Sequence, residues 1–308
     1  MQLDLFNNNH NRSTLLLNDA ARMLRVLDLE NACAIYDELL ADAPEDREIS
    51  GLKVAVESWR ERLLFFADAG PEGLYEIHSH LVEAMPQELR IGILEFLSEL
   101  LLALPAPELI YMPPRFHLGC VLREAGQHAE AGRWFAEALC SGIAQIGRFL
   151  AWRGDALTLS GKGAAAMECY QAAFLEDPDS VDIDTLANRA IRDLLLTLGL
   201  ECFDEEPGDR EALPWLPYWG WLHGDFPLDL NVVAADHAAF AANLQQADDE
   251  GKMPQARLWY EYLRFAEYLR TSLRDDRELV RVRRRMRQLN GTMFVRYMER
   301  IGGIKKED

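Results

Sequence analysis

The sequence predicts an all-α protein, a solenoid of repeated helix pairs followed by a C-terminal helical bundle. Three observations carry that expectation. Leu, Ala, Glu and Arg dominate while Val, Ile and Thr are sparse, which favours helix over strand. Apolar residues make up 49% of the 308 positions, enough to bury a sizeable core. The third is an internal repeat. Gly119, Leu122, Gly126, Ala131, Phe135 and Ala138 recur as Gly154, Leu157, Gly161, Ala166, Tyr170 and Ala173, a constant offset of 35 residues.

Residues 1–12 read as a polar, flexible N-terminal motif, and residues 13–200 as the solenoid. A fainter copy of the repeat opens it with Ala20, Met23, Ala32, Tyr36, Leu39 and Pro44, Leu27-Asp28-Leu29 standing where the turn glycine would be. Helical periodicity then runs from Arg47 to Phe66 and breaks at Ala69-Gly70-Pro71. Helices follow near Glu72 to Ala84 and Gln87 to Leu104, and four prolines between 105 and 114 lead into the clear repeats. In those, Gly119 and Gly154 allow close approach of a partner helix, and Gly126 and Gly161 end the first helix at positive φ. Ala131 and Ala166 sit at the helix crossing. Phe135 and Tyr170 are expected to fill the space between adjacent pairs, and Pro178 stops the last helix. A further helix near Thr185 to Leu198 caps the stack.

Residues 201–230 read as an aromatic, Pro-rich loop without helical period, marking a soft boundary near 205–230. The C-terminal helical region, 231–304, holds segments at Ala234 to Asp248, Pro254 to Arg274 and Asp276 to Leu289, and a last short helix after an Asn290-Gly291 turn.

The clear repeats resemble the tetratricopeptide repeat family, whose pattern runs W-x2-L-G-x2-Y…A-x3-F-x2-A…P over about 34 residues. Leu118-Gly119, Ala131, Phe135 and Ala138 match it, whereas Arg115 and Leu150 replace the Trp, Arg153 replaces the Leu, and Leu122 and Leu157 replace the Tyr. The likeness covers residues 113–180 well and 13–46 more loosely. It implies a scaffold or adaptor that binds other proteins rather than an enzyme. This chain lacks the evenly placed Lys, Arg and Asn that grip peptide carboxylates in chaperone-binding members.

Three segments are candidate sites. Gln2-Leu3-Asp4-Leu5-Phe6 is similar to the peptide by which bacterial replication and repair proteins dock on the DNA sliding clamp. That resemblance implies contacts from Gln2, Leu3, Leu5 and Phe6; the alternative is an apolar flap over the first helix pair. Trp215, Tyr218, Trp219 and Trp221 form either a platform for an extended peptide or a plug that tucks into the core, the plug being favoured. Arg277, Arg281, Arg284 and Arg285 fall outside the apolar stripe Leu279, Val282, Met286 and Leu289 and form a basic patch. Phosphate contact and intrachain pairing are both open to it.

Net charge is -19, with residues 1–110 strongly acidic and the tail from Arg264 to Lys306 basic, so the molecule as a whole repels nucleic acid and anionic membranes. Five scattered cysteines without a C-x-x-C spacing, and no signal-peptide pattern, point to a reducing, cytoplasmic setting. His78 and His80 lie two apart on a helix and so face different ways, against a shared metal. No nucleophile, metal, cofactor or nucleotide fingerprint occurs. The enzyme alternative rests on a site near Trp219 and His223, between solenoid and bundle.

Overall fold

The computed structural model describes residues 3–64, 69–81, 85–203 and 211–302, with side chains described from residue 12 onward. Among the described residues the regular elements are helices and no strand forms, so the all-α class holds. The chain divides into two compact units, Met1–Ser141 and Gly142–Asp308. The boundary expected near 205–230 thus falls inside the second unit.

Unit 1 contains α1 (Leu3–Arg25), α2 (Leu29–Asp42), α3 (Arg47–Leu63), α4 (Pro71–Ser79), α5 (Gln87–Ala103), α6 (Leu118–Glu124) and α7 (His128–Cys140). Helices α1 and α2 form the fainter pair. Ala20, Ala32, Tyr36 and Leu39 are buried along it, as the repeat pattern predicts. Leu27 adopts φ +56°, the left-handed conformation that Gly126 (+82°) and Gly161 (+75°) supply in the clear pairs. A leucine there lacks glycine's steric freedom. Its place between α1 and α2 is nonetheless fixed by the Asp28 carboxylate, which accepts from Asn31 N–H at 3.3 Å and caps α2. Arg25 ties α1 to α5 through a two-pronged bond to Glu95 at 3.0 and 2.6 Å.

The α6–α7 pair shows why its glycine recurs. A methyl group on Gly119 would stand 2.5 Å from the Phe135 ring. In the corresponding pair of unit 2, α8 (Ile146–Leu159) and α9 (Gly163–Glu176), a methyl on Gly154 would stand 2.8 Å from the Tyr170 ring. Each aromatic side chain therefore fills the space inside its own pair. This corrects the expectation that Phe135 and Tyr170 pack between adjacent pairs: glycine removes the side chain that would otherwise keep the ring outside.

His117 starts α6. Its Nδ1 accepts from Gly119 N–H at 3.0 Å and its Nε2–H donates to the Glu108 carbonyl at 3.0 Å, while the ring stacks on Phe135. Burial pushes its pKa down from 6.5 to about 4, outweighing the opposing pull of Glu108. The imidazole is thus a neutral helix cap.

Unit 2 continues with α10 (Arg189–Leu198), α11 (Leu216–His223), α12 (Asn231–Ala235), α13 (His237–Glu250), α14 (Gln255–Tyr268), α15 (Asp276–Leu289) and α16 (Gly291–Gly302). The segment expected as a loop is a helix here. A 3-10 turn at Leu213–Trp215 leads into α11, Pro217 sits in its first turn, and Gly224 at φ +88° ends it. The helix carries no apolar stripe because it is buried all round, and a fully buried helix has no polar face to give it a period. One apolar core runs from Ala151 and Tyr170 through α11 to Trp259, Met286 and Tyr297, so the second clear pair and the C-terminal helices are one body. Several buried polar groups are satisfied inside it. The Asp155 carboxylate accepts from Tyr170 Oη–H at 2.7 Å and from Ala187 N–H at 2.8 Å. Gln171 donates to Tyr260 Oη, and Trp259 Nε1–H to the Met286 carbonyl.

Candidate partner-binding surfaces

The structure treats the three sequence-derived sites differently. Gln2 lies outside the described residues, as do the side chains of Leu3, Leu5 and Phe6, although helix α1 begins at Leu3 and takes in the stretch expected to be a flexible tether. The aromatic set is a core element. Tyr218 and Trp219 are 1% exposed, Trp215 and Trp221 are buried, and the rings pack on one another and on Trp259 and Tyr297. Tyr218 Oη–H donates to the Met293 carbonyl and Trp219 Nε1–H to Thr197 Oγ1. No face of this set remains for a ligand, so the platform reading gives way to the plug. Trp219, buried and hydrogen-bonded, does not line an open site beside His223 either.

The arginines are brought together on α15, but not as one uniform patch. Leu279, Val282 and Met286 form the buried stripe as expected. Arg285 is a structural residue. Its guanidinium donates to both oxygens of Asp248 at 2.6 and 2.5 Å, and Tyr262 Oη–H adds a third bond to Asp248 at 2.7 Å. These bonds hold the Asp248 carboxyl below the usual range. Arg281 pairs with Glu278 at 2.9 Å on the surface. Arg277 and Arg284 are exposed, and no ion pair engages them among the described residues. Arg281, Arg284 and Arg285 form one wall of a groove of about 430 Å³, with Asp248 and Asp249 on the α13 side and Leu244, Tyr262 and Phe265 beneath.

Arg285→Ala should lower stability by about 1–2 kcal/mol, because it strips charged partners from an Asp248 side chain only 6% exposed. The partial exposure of Arg285 keeps the loss below that of a fully buried pair. Arg284→Ala should stay within about 0.5 kcal/mol. Urea unfolding of the two variants separates the roles, and equal losses would remove the distinction.

A second groove, of about 600 Å³, lies between α9 and the α13–α14 turn. Its floor is Phe174, Leu175, Pro214, Ala247, Met253 and Pro254. Glu176, Asp177, Asp179 and Glu250 stand around it. Both cations beside it are engaged, Lys252 with Glu250 at 2.8 Å and Arg257 with Glu176 at 3.0 Å. Sequence reasoning missed this groove because its walls are some 75 residues apart in the chain and carry no shared motif. The only local signals were the Pro178 helix stop and the Gly251 turn.

No family model matches the chain, and no curated protein or solved structure matches it. Among the described residues no group of three His, Cys, Asp or Glu side chains could hold a metal ion. No helix among them is long and apolar enough to cross a membrane. None of the five cysteines forms a disulfide.

Proposed function

We propose that this protein is a non-catalytic interaction scaffold of the tetratricopeptide-like kind, working in the cytoplasm and tethered to the bacterial sliding clamp through Gln2, Leu3, Leu5 and Phe6. The observation that carries the scaffold reading is the shared interior of the helix pairs. Gly119 with Phe135, and Gly154 with Tyr170, use the same contact at the same spacing, and a left-handed glycine closes each turn. Repeated pairs of this build keep their interiors constant and leave their outer surfaces free to vary for partners. The tether reading is supported by the Gln2-Leu3-Asp4-Leu5-Phe6 sequence at the head of the chain. Five cysteines without a disulfide fit a reducing compartment.

The test is fluorescence-anisotropy titration of a labelled bacterial sliding clamp with wild type and with Leu5→Ala/Phe6→Ala. Binding at micromolar Kd or tighter, weakened at least tenfold in the double variant, is expected. Equal binding by both forms, or none by either, would remove the tether.

A further inference from the structure

One exposed face of unit 2 matches the chemistry of its acid-rimmed groove. On α15, Arg277, Val280, Arg284 and Arg287 lie at i, i+3, i+7 and i+10, which places them along one side of the helix. Val280 is 57% exposed, a large apolar side chain in water with arginines before and after it. No ion pair engages Arg277, Arg284 or Arg287 among the described residues. The side is thus a basic ridge with an apolar centre, and its Arg284 also borders the groove walled by Arg281 and Arg285.

The groove between α9 and the α13–α14 turn is its converse: concave, apolar below and acidic above. No ion pair engages Asp177 or Asp179 among the described residues, while Lys252 and Arg257 are occupied by carboxylates of the same rim. The carboxyl-terminal ends of α9, at Glu176, and of α13, at Glu250, both fall at this rim. Their backbone dipoles add negative potential there. An occupant that suits the groove carries cationic groups around an apolar side chain, and the α15 ridge carries both.

We propose that a second copy of this chain docks its α15 ridge into the acid-rimmed groove, so that copies associate head to tail. Ridge and groove belong to one body and α15 packs against α14, so a molecule cannot fill its own groove with its own ridge. The contact is heterologous, and it continues from copy to copy until a ring closes or the chain of molecules ends. It uses neither Leu5 nor Phe6, so it stands or falls independently of clamp docking.

Sedimentation velocity of the full chain tests this with two variants. Asp177→Lys/Asp179→Lys reverses the groove, and Arg277→Glu/Arg284→Glu reverses the ridge. All four side chains lie at the surface or partly so, and Lys at the α9 carboxyl end and Glu in the first turn of α15 suit the helix dipoles. Circular dichroism and melting should therefore match wild type. Wild type is expected to form multiples of the 35.1 kDa chain as its concentration rises to about 0.1 mM, and each variant alone to stay monomeric. Mixed in equal amounts, the two variants keep one intact ridge and one intact groove between them. The reversed ridge of one also complements the reversed groove of the other in charge, so the mixture should associate again. A wild type that stays monomeric over this range overturns the proposal. So do multimers that persist in either variant, and a mixture of monomeric variants that does not pair.

Discussion

Gly119→Ala should destabilise unit 1 by about 2 kcal/mol, although the same change at an open helical site gains about 0.5–1 kcal/mol. The new methyl would stand 2.5 Å from a Phe135 ring that is itself fully buried and stacked on His117, leaving it nowhere to move. If the collision is the cause, shrinking the ring removes it. Phe135→Leu alone should cost about 1–3 kcal/mol through lost burial, and Gly119→Ala added to it should cost nearly nothing more. Urea midpoints of the two single variants and the double variant complete the cycle. Additive losses would mean that glycine serves the α6 backbone and not the ring. The same cycle at Gly154 and Tyr170 is complicated by the Tyr170 bond to Asp155, which a shorter side chain would also break.

Unit 1 should weaken in mild acid because of His117. The folded state holds this imidazole neutral with a pKa of about 4, while the unfolded chain takes up the proton near 6.5. Its contribution is therefore fully present above pH 6.5, declines as pH falls from there, and is lost as pH passes about 4. A displacement of that size corresponds to about 3 kcal/mol at the acid end. His117→Asn keeps an acceptor for Gly119 N–H without a titrating ring. It is less stable at neutral pH for want of the Phe135 stack, yet its stability should be flatter between pH 6.5 and 4. Denaturant midpoints across that window decide the matter, and parallel profiles would assign the acid sensitivity to other groups.

How much of this was legible in the sequence depended on where the polar residues fell. The helix pairs were readable because Gly126 and Gly161 announce their turns and Ala131 and Ala166 their crossings. Helix α15 was readable because Leu279, Val282 and Met286 stand out against arginine. Residues 213–226 were misread because a helix surrounded by protein has no polar side to set a period, and its prolines fall at the start where helices accept them. Leu27 concealed the first turn for the opposite reason, a side chain occupying a conformation that usually advertises itself with glycine. The surfaces were harder still. Spacing along α15 located the arginines, but the capture of Arg285 by Asp248 depends on a contact across 37 residues. The acid-rimmed groove depends on a longer one between α9 and α14.

The buried aromatic helix also sets the order in which the protein can be made. Tyr218 is anchored to Met293, 75 residues further on, and Trp221 lies against Arg300 and Tyr297 near the end of the chain. While a ribosome is still adding those residues, the most apolar stretch of unit 2 has emerged without the helices that cover it. Unit 1, whose last helix ends at Cys140, has all its partners by then. Synthesis thus delivers one finished half and one half with its tryptophans uncovered, and α16 is the last piece that closes it.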